Sequence, residues 1–131
     1  MPAEHRITYT IEEANALVPE VRAILLQVAV DQRRLQDAHA ALHAAMDDGG
    51  GLPPGAPLMD EATVAGIEDG IRALLTHLAD RGIQVRDLST GLVDFPAVRD
   101  ARPVWLCWRL SDESVAHWHG TDEGYASRRR W

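Results

Sequence analysis

The triplet His117-Trp118-His119 is the most suggestive chemical feature of this sequence. On a β-strand its two imidazoles project from one face, about 6.5 to 7 Å apart at Cα, close enough to share one metal ion. Asp94 and Cys107 offer a third ligand. An Asp/His/His set with open positions suits one divalent transition metal such as Zn, Fe or Mn. The competing reading has His117 as a solvated strand residue and His119 bonded to a backbone carbonyl. Cys107 has two readings of its own. It is a small apolar residue buried between Trp105 and Trp108, or a thiol whose proton is loosened by Arg109 for ligation or redox work. Arg109 in turn is either the cross-strand ion-pair partner of Asp94 or a fork that holds the carboxylate or phosphate of a small ligand.

Other titratable groups point to structure. His39 and His43 stand at i, i+4, a chelating interval, but His39 falls on an apolar seam where a polar residue sets register. The run Arg128-Arg129-Arg130 reads as a solvated end. No Gly-rich phosphate loop, CxxC, Ser-His-Asp order or HExxH occurs, so hydrolase and nucleotidase readings have no positive support and no reaction class is assigned.

Elements that position these residues follow from periodicity. Thr10-Ile11-Glu12-Glu13 is a capping box that opens a helix. Ala14, Val18, Val21, Leu25, Val28, Leu35, Leu42 and Met46 then alternate four- and three-residue steps, broken by Gln32 and His39. That is a coiled-coil seam on a helix from about Ile11 to Met46, roughly 54 Å long. Pro19 either kinks it or separates an earlier turn. Four Gly and three Pro between Asp47 and Pro57 make a loop. A second helix, about Glu61 to Arg81, repeats the steps with Val64, Ile67, Ile71, Leu74 and Leu78, and Gly82 stands at its C′ position. The two seams predict a long antiparallel helical hairpin over 10–81, with its Gly/Pro loop at 47–60.

From Ile83 the period changes to two. Candidate strands are Ile83 to Asp87, Leu92 to Phe95, Val104 to Leu110 and Val115 to His119, with turn chemistry between them, including Pro96 to Pro103. Six of the seven aromatics lie beyond residue 94. The expectation is one α+β domain over 1–131: the hairpin packed on an antiparallel β-meander of three to four strands (82–119), followed by a loosely held tail (120–131). Alternation puts Leu106, Trp108 and Leu110 on one face and Trp105, Cys107 and Arg109 on the other. If the helices cover the more apolar set, the opposite face gathers Asp94, Cys107, Arg109, His117 and His119, provided no bulge near Pro96 or Pro103 breaks the parity.

The whole is 131 residues with 13 Arg, no Lys and 20 Asp+Glu, a net charge of −7. An acidic chain argues against backbone-driven nucleic-acid binding or attachment to anionic membranes, which need a positive field. The single cysteine excludes an intramolecular disulfide, and no window approaches a membrane helix; with no apolar stretch at Met1 to Tyr9, a cytoplasmic setting is expected. The segments Thr8 to Leu17, Gly91 to Pro96, Val104 to Arg109 and Trp118-His119 together resemble a prokaryotic domain-of-unknown-function family of small proteins. That resemblance covers nearly the whole chain and implies a bacterial cytoplasmic domain without supplying catalytic roles. Two functions stay open. One is binding of a metal ion or small ligand on the sheet face through His117, His119, Asp94, Cys107 and Arg109. The other is a non-catalytic oligomerisation module using the hairpin, whose unequal helices leave apolar surface for a homodimer.

Overall fold

The computed structural model describes residues 5–48 and 59–131, so the Gly/Pro run at 49–58 lies outside the described residues. Two helices precede a five-stranded antiparallel sheet, an α+β architecture. Helix α1, Ile11–Asp48, starts at the capping box. The Thr10 amide donates to Glu13 Oε1 at 2.9 Å, and the Glu13 amide to Thr10 Oγ1 at 3.1 Å. Pro19 is carried inside α1 and does not end it. Helix α2, Glu61–Asp80, starts where the Asp60 carboxylate accepts from the Thr63 amide at 2.7 Å. It closes with a Schellman turn: Gly82 at φ 78°, its amide donating to the Ala79 carbonyl, and the Ile83 amide donating to the Leu78 carbonyl. Glu20 near the start of α1 reaches His77 and Arg81 at the end of α2, while Leu35 and Leu42 line one cavity with Val64, so the helices run in opposite directions.

The apolar stripe of α1 departs from the expected seam in its second half. Ala14, Val18, Val21, Leu25 and Val28 are buried, but beyond Leu35 the buried residue is Ala38, and His39, Leu42 and Met46 are exposed.

The sheet holds β1 (Gln84–Asp87), β2 (Leu92–Arg99), β3 (Arg102–Trp108), β4 (His117–Gly120) and β5 (Arg129–Arg130) in sequential order. There are five strands where three to four were expected, and two stretches differ from the expectation, the first adding a strand and the second lengthening β2 and β3. First, the Arg128–Arg130 run, exposed at Arg129 and Arg130, is nevertheless paired to the sheet rather than a free end. Arg128 pairs with Asp112 at 3.0 Å, Arg129 grips Glu123 and covers the Trp118 ring, and the Trp131 amide donates to the Ala116 carbonyl at 2.8 Å. Second, the Pro96 to Pro103 stretch is not a loop. Strand β2 passes through Pro96 and turns at Asp100-Ala101, both at positive φ. Pro96 is tolerated because its carbonyl accepts from the Tyr9 amide at 2.8 Å, on the side away from β3. The missing N–H therefore faces away from the β3 ladder.

The β2–β3 register runs unbroken from Val93↔Trp108 to Arg99↔Arg102, so parity between those strands holds. Val93, Phe95, Ala97, Val104, Leu106 and Trp108 are buried in the core with the α1 stripe, Leu78 and Ile83. The polar face carries Asp94, Cys107, His117 and His119, as alternation requires. Among the described residues the register shifts in β1, where Val85↔Val93 is followed by Asp87↔Leu92 and Arg86 is the extra residue.

Candidate metal centre

Strands β2, β3 and β4 each supply one side chain to a buried polar group on the face turned away from the helices. Asp94 and Cys107 are direct partners across β2–β3. His119 pairs with Trp105, one step along β3, and reaches diagonally to Asp94. Its Nε2 lies 3.0 and 3.1 Å from the two Asp94 carboxylate oxygens. One ligand atom from each of Asp94, Cys107 and His119 lies within 4.8 Å of the others. The exposures are 2 %, 1 % and 2 %. A tetrahedral ion with bonds of about 2.0 Å to N and O and 2.3 Å to S separates one N, one O and one S ligand by roughly 3.3 to 3.5 Å. The Asp94–His119 edge is shorter than that, and the three atoms lie within 4.8 Å of one another.

The hydrogen-bond inventory fixes how His119 is oriented. Nδ1 stands 2.9 Å from the Gly120 carbonyl. A carbonyl can only accept, so Nδ1 carries hydrogen and Nε2 is the nitrogen turned to the site, the arrangement that orients metal-binding histidines. With no ion between them, Nε2 and the Asp94 carboxylate share one proton. Asp94 is further held by Arg86, whose Nε donates to Oδ2 at 2.9 Å while its guanidinium covers the Trp105 ring at 4.9 Å. Alternation from Gln84, the ladder partner of Asp94, puts Arg86 on this same face.

Cys107 is not an activated nucleophile. Burial, seconded by the Asp94 charge, pushes its thiol up to about 12, against a partial opposing pull from Arg128. Both ring nitrogens of His119 are engaged, so neither is free to take the thiol proton. A Cys-His-Asp set is present in composition without the hydrogen bonding that would make it a hydrolytic triad.

Three of the expected metal residues thus come together, and His117 is not among them. It is half-buried, opposite Cys107 on one side and Arg130 on the other. The expected Asp94–Arg109 pairing is replaced by Asp94–Arg86. Arg109 covers the Tyr125 ring at 5.1 Å, shares that ring with Arg128, and keeps its Nε buried without a hydrogen-bond partner. His39 lines the groove between the helices, away from this centre.

Asn15 is a positioning residue that sequence reasoning missed. It takes the Val115 amide on Oδ1 at 2.7 Å and gives Nδ2 to the Val115 carbonyl at 3.0 Å, clamping the segment just before β4 to α1. Below it, Arg22 donates to the Leu110 carbonyl at 3.1 Å, and the Trp108 indole N–H donates to the Asp112 carbonyl at 3.1 Å. These bonds set where β4, and with it His119, enters the sheet.

Residues 7–131 match the model of a family described as an uncharacterized conserved protein family, DUF2203, and the chain belongs to that family. Neither the curated proteins nor the solved structures contain a match to it.

Proposed function

We propose that this member of the DUF2203 family binds one divalent transition-metal ion through Asp94 Oδ, Cys107 Sγ and His119 Nε2. The observation that carries the reading is the convergence of these three buried ligand atoms within 4.8 Å of one another, with His119 Nδ1 already committed to a backbone carbonyl. Charge balance supports it. A carboxylate, an imidazole with its extra proton and a neutral thiol sum to zero, and so do a carboxylate, a neutral imidazole, a thiolate and a divalent cation. An ion that enters as two protons leave therefore adds no net buried charge, and a bound metal deprotonates a coordinating thiol. The thiolate in the set favours Zn²⁺ over Mn²⁺, which prefers oxygen ligands.

Elemental analysis of protein purified without a histidine tag tests the reading. The expected result is one zinc per chain in the wild type, lost in Cys107→Ala and His119→Gln and kept in His117→Gln. Absence of metal from the wild type under several growth conditions, together with no uptake of added zinc, would overturn it.

A second function rests on a separate observation. Leu42 and Met46, 48 % and 73 % exposed, project from the far end of α1. Self-association through this end would bury them, giving a homodimer. Sedimentation at rising concentration checks this: a dimer that Leu42→Glu dissociates is expected, and a monomer throughout would rule it out.

A further inference from the structure

The core-side face of the sheet extends past the helices, and its far end forms a cleft of about 850 Å³ with no helical residue in its lining. Arg99 and Arg102 face each other there across the β2–β3 turn, in direct register. Like charges directly opposite on paired strands are destabilising. The Arg99 guanidinium carbon lies 5.0 Å from the Trp118 ring centre and 4.6 Å from that of Trp131, rings that themselves meet edge to face. These ring contacts engage the cation without using its N–H donors in hydrogen bonds. Among the described residues, no side-chain acceptor bonds Arg99 or Arg102, and no carboxylate lies within ion-pair distance of either. The third arginine of the cleft, Arg129, is already neutralised by the two Glu123 oxygens at 3.1 and 2.8 Å.

We infer that this cleft binds a phosphate dianion, free or as a small phosphomonoester, held between the Arg99 and Arg102 guanidinium groups. Two unspent planar forks match two negative charges, and bidentate guanidinium contacts are the strong form of phosphate recognition. The volume falls in the range of small-molecule pockets. A polyanionic strand does not fit a chain of net charge −7. Asp100 and Asp122 also line the cleft, so long-range attraction is weak and recognition rests on the short guanidinium contacts.

Titration of the full chain with inorganic phosphate, glycerol 3-phosphate and glycerol, followed by calorimetry and by the indole N–H signals of Trp118 and Trp131, tests the inference. Saturable one-to-one binding of a phosphate-bearing probe is expected, with no binding of glycerol. Tighter binding of glycerol 3-phosphate identifies an ester as the ligand; equal or tighter binding of inorganic phosphate identifies free phosphate. Arg102→Gln, at an exposed position, should weaken binding about tenfold or more, and Arg72→Gln on α2 should leave it unchanged. No saturable binding at millimolar concentration, or unchanged binding in Arg102→Gln, would overturn the inference.

Discussion

Asp94, Cys107 and His119 were each readable in the sequence as candidate ligands, because two-residue alternation alone assigns the face of a side chain within a strand. Which of them meet is decided by register, and the sequence does not print register. His117 satisfies the same parity as His119, yet it lies beside Cys107 and Arg130, whereas His119 reaches diagonally to Asp94. Arg86 has the parity of Gln84 and so stands on the Asp94 face, but its ion pair with Asp94 depends on the β1–β2 register, which the sequence likewise does not print. The thiol gives a direct test at this scale. In the metal-free protein its raised value means that between pH 9 and about 12 the unfolded chain has lost the Cys107 proton while the folded chain keeps it. This contribution to stability is complete below pH 9 and is lost as pH rises through that window. Native protein at pH 8 should accordingly resist an aromatic disulfide reagent and react at once after unfolding in denaturant. Fast labelling of the folded protein would show an exposed or activated thiol.

Elements were legible where the signal is local. The capping box at Thr10, the Gly82 turn and the apolar steps of α2 need only neighbours in sequence, and each is present in the fold. Elements defined by distant partners were not legible. Pro96 sits inside a strand because the Tyr9 segment, 87 residues earlier, lies on its ladder-free side, and Ala101 adopts a left-handed φ of 64° that its residue type does not suggest. Strand β5 depends on Asp112 and Glu123 to hold an arginine run that looks solvated in isolation. Asn15 is the strongest of these long-range devices, since its amide satisfies both backbone groups of the buried Val115. Asn15→Ala should cost about 2 to 4 kcal/mol, because removing one partner leaves two buried polar groups unpaired. Denaturant unfolding measures it. A loss below about 0.5 kcal/mol would mean that the clamp does not hold β4 in solution.

The whole molecule divides its chemistry unequally. Residues 1–82 carry the entire net charge of −7, and the sheet half balances seven Arg against seven acidic residues. The sheet is therefore the half in which charges are placed against one another, around the Asp94 centre on one face and the Arg99 cleft on the other. Composition disclosed the acidic total but not this division of labour between faces, which exists only once five strands are in order. If the metal reading holds, the centre joins three strands, and a bound ion stabilises the sheet by mass action. Cobalt substitution followed by absorption spectroscopy examines the ligand set itself. One equivalent of Co²⁺ added to the apo-protein should give the strong visible bands of a tetrahedral site together with a near-ultraviolet thiolate charge-transfer band, and Cys107→Ser should abolish the latter while His117→Gln leaves both. A spectrum indistinguishable from hexa-aqua cobalt, or a charge-transfer band that survives Cys107→Ser, would contradict a metal centre built from Asp94, Cys107 and His119.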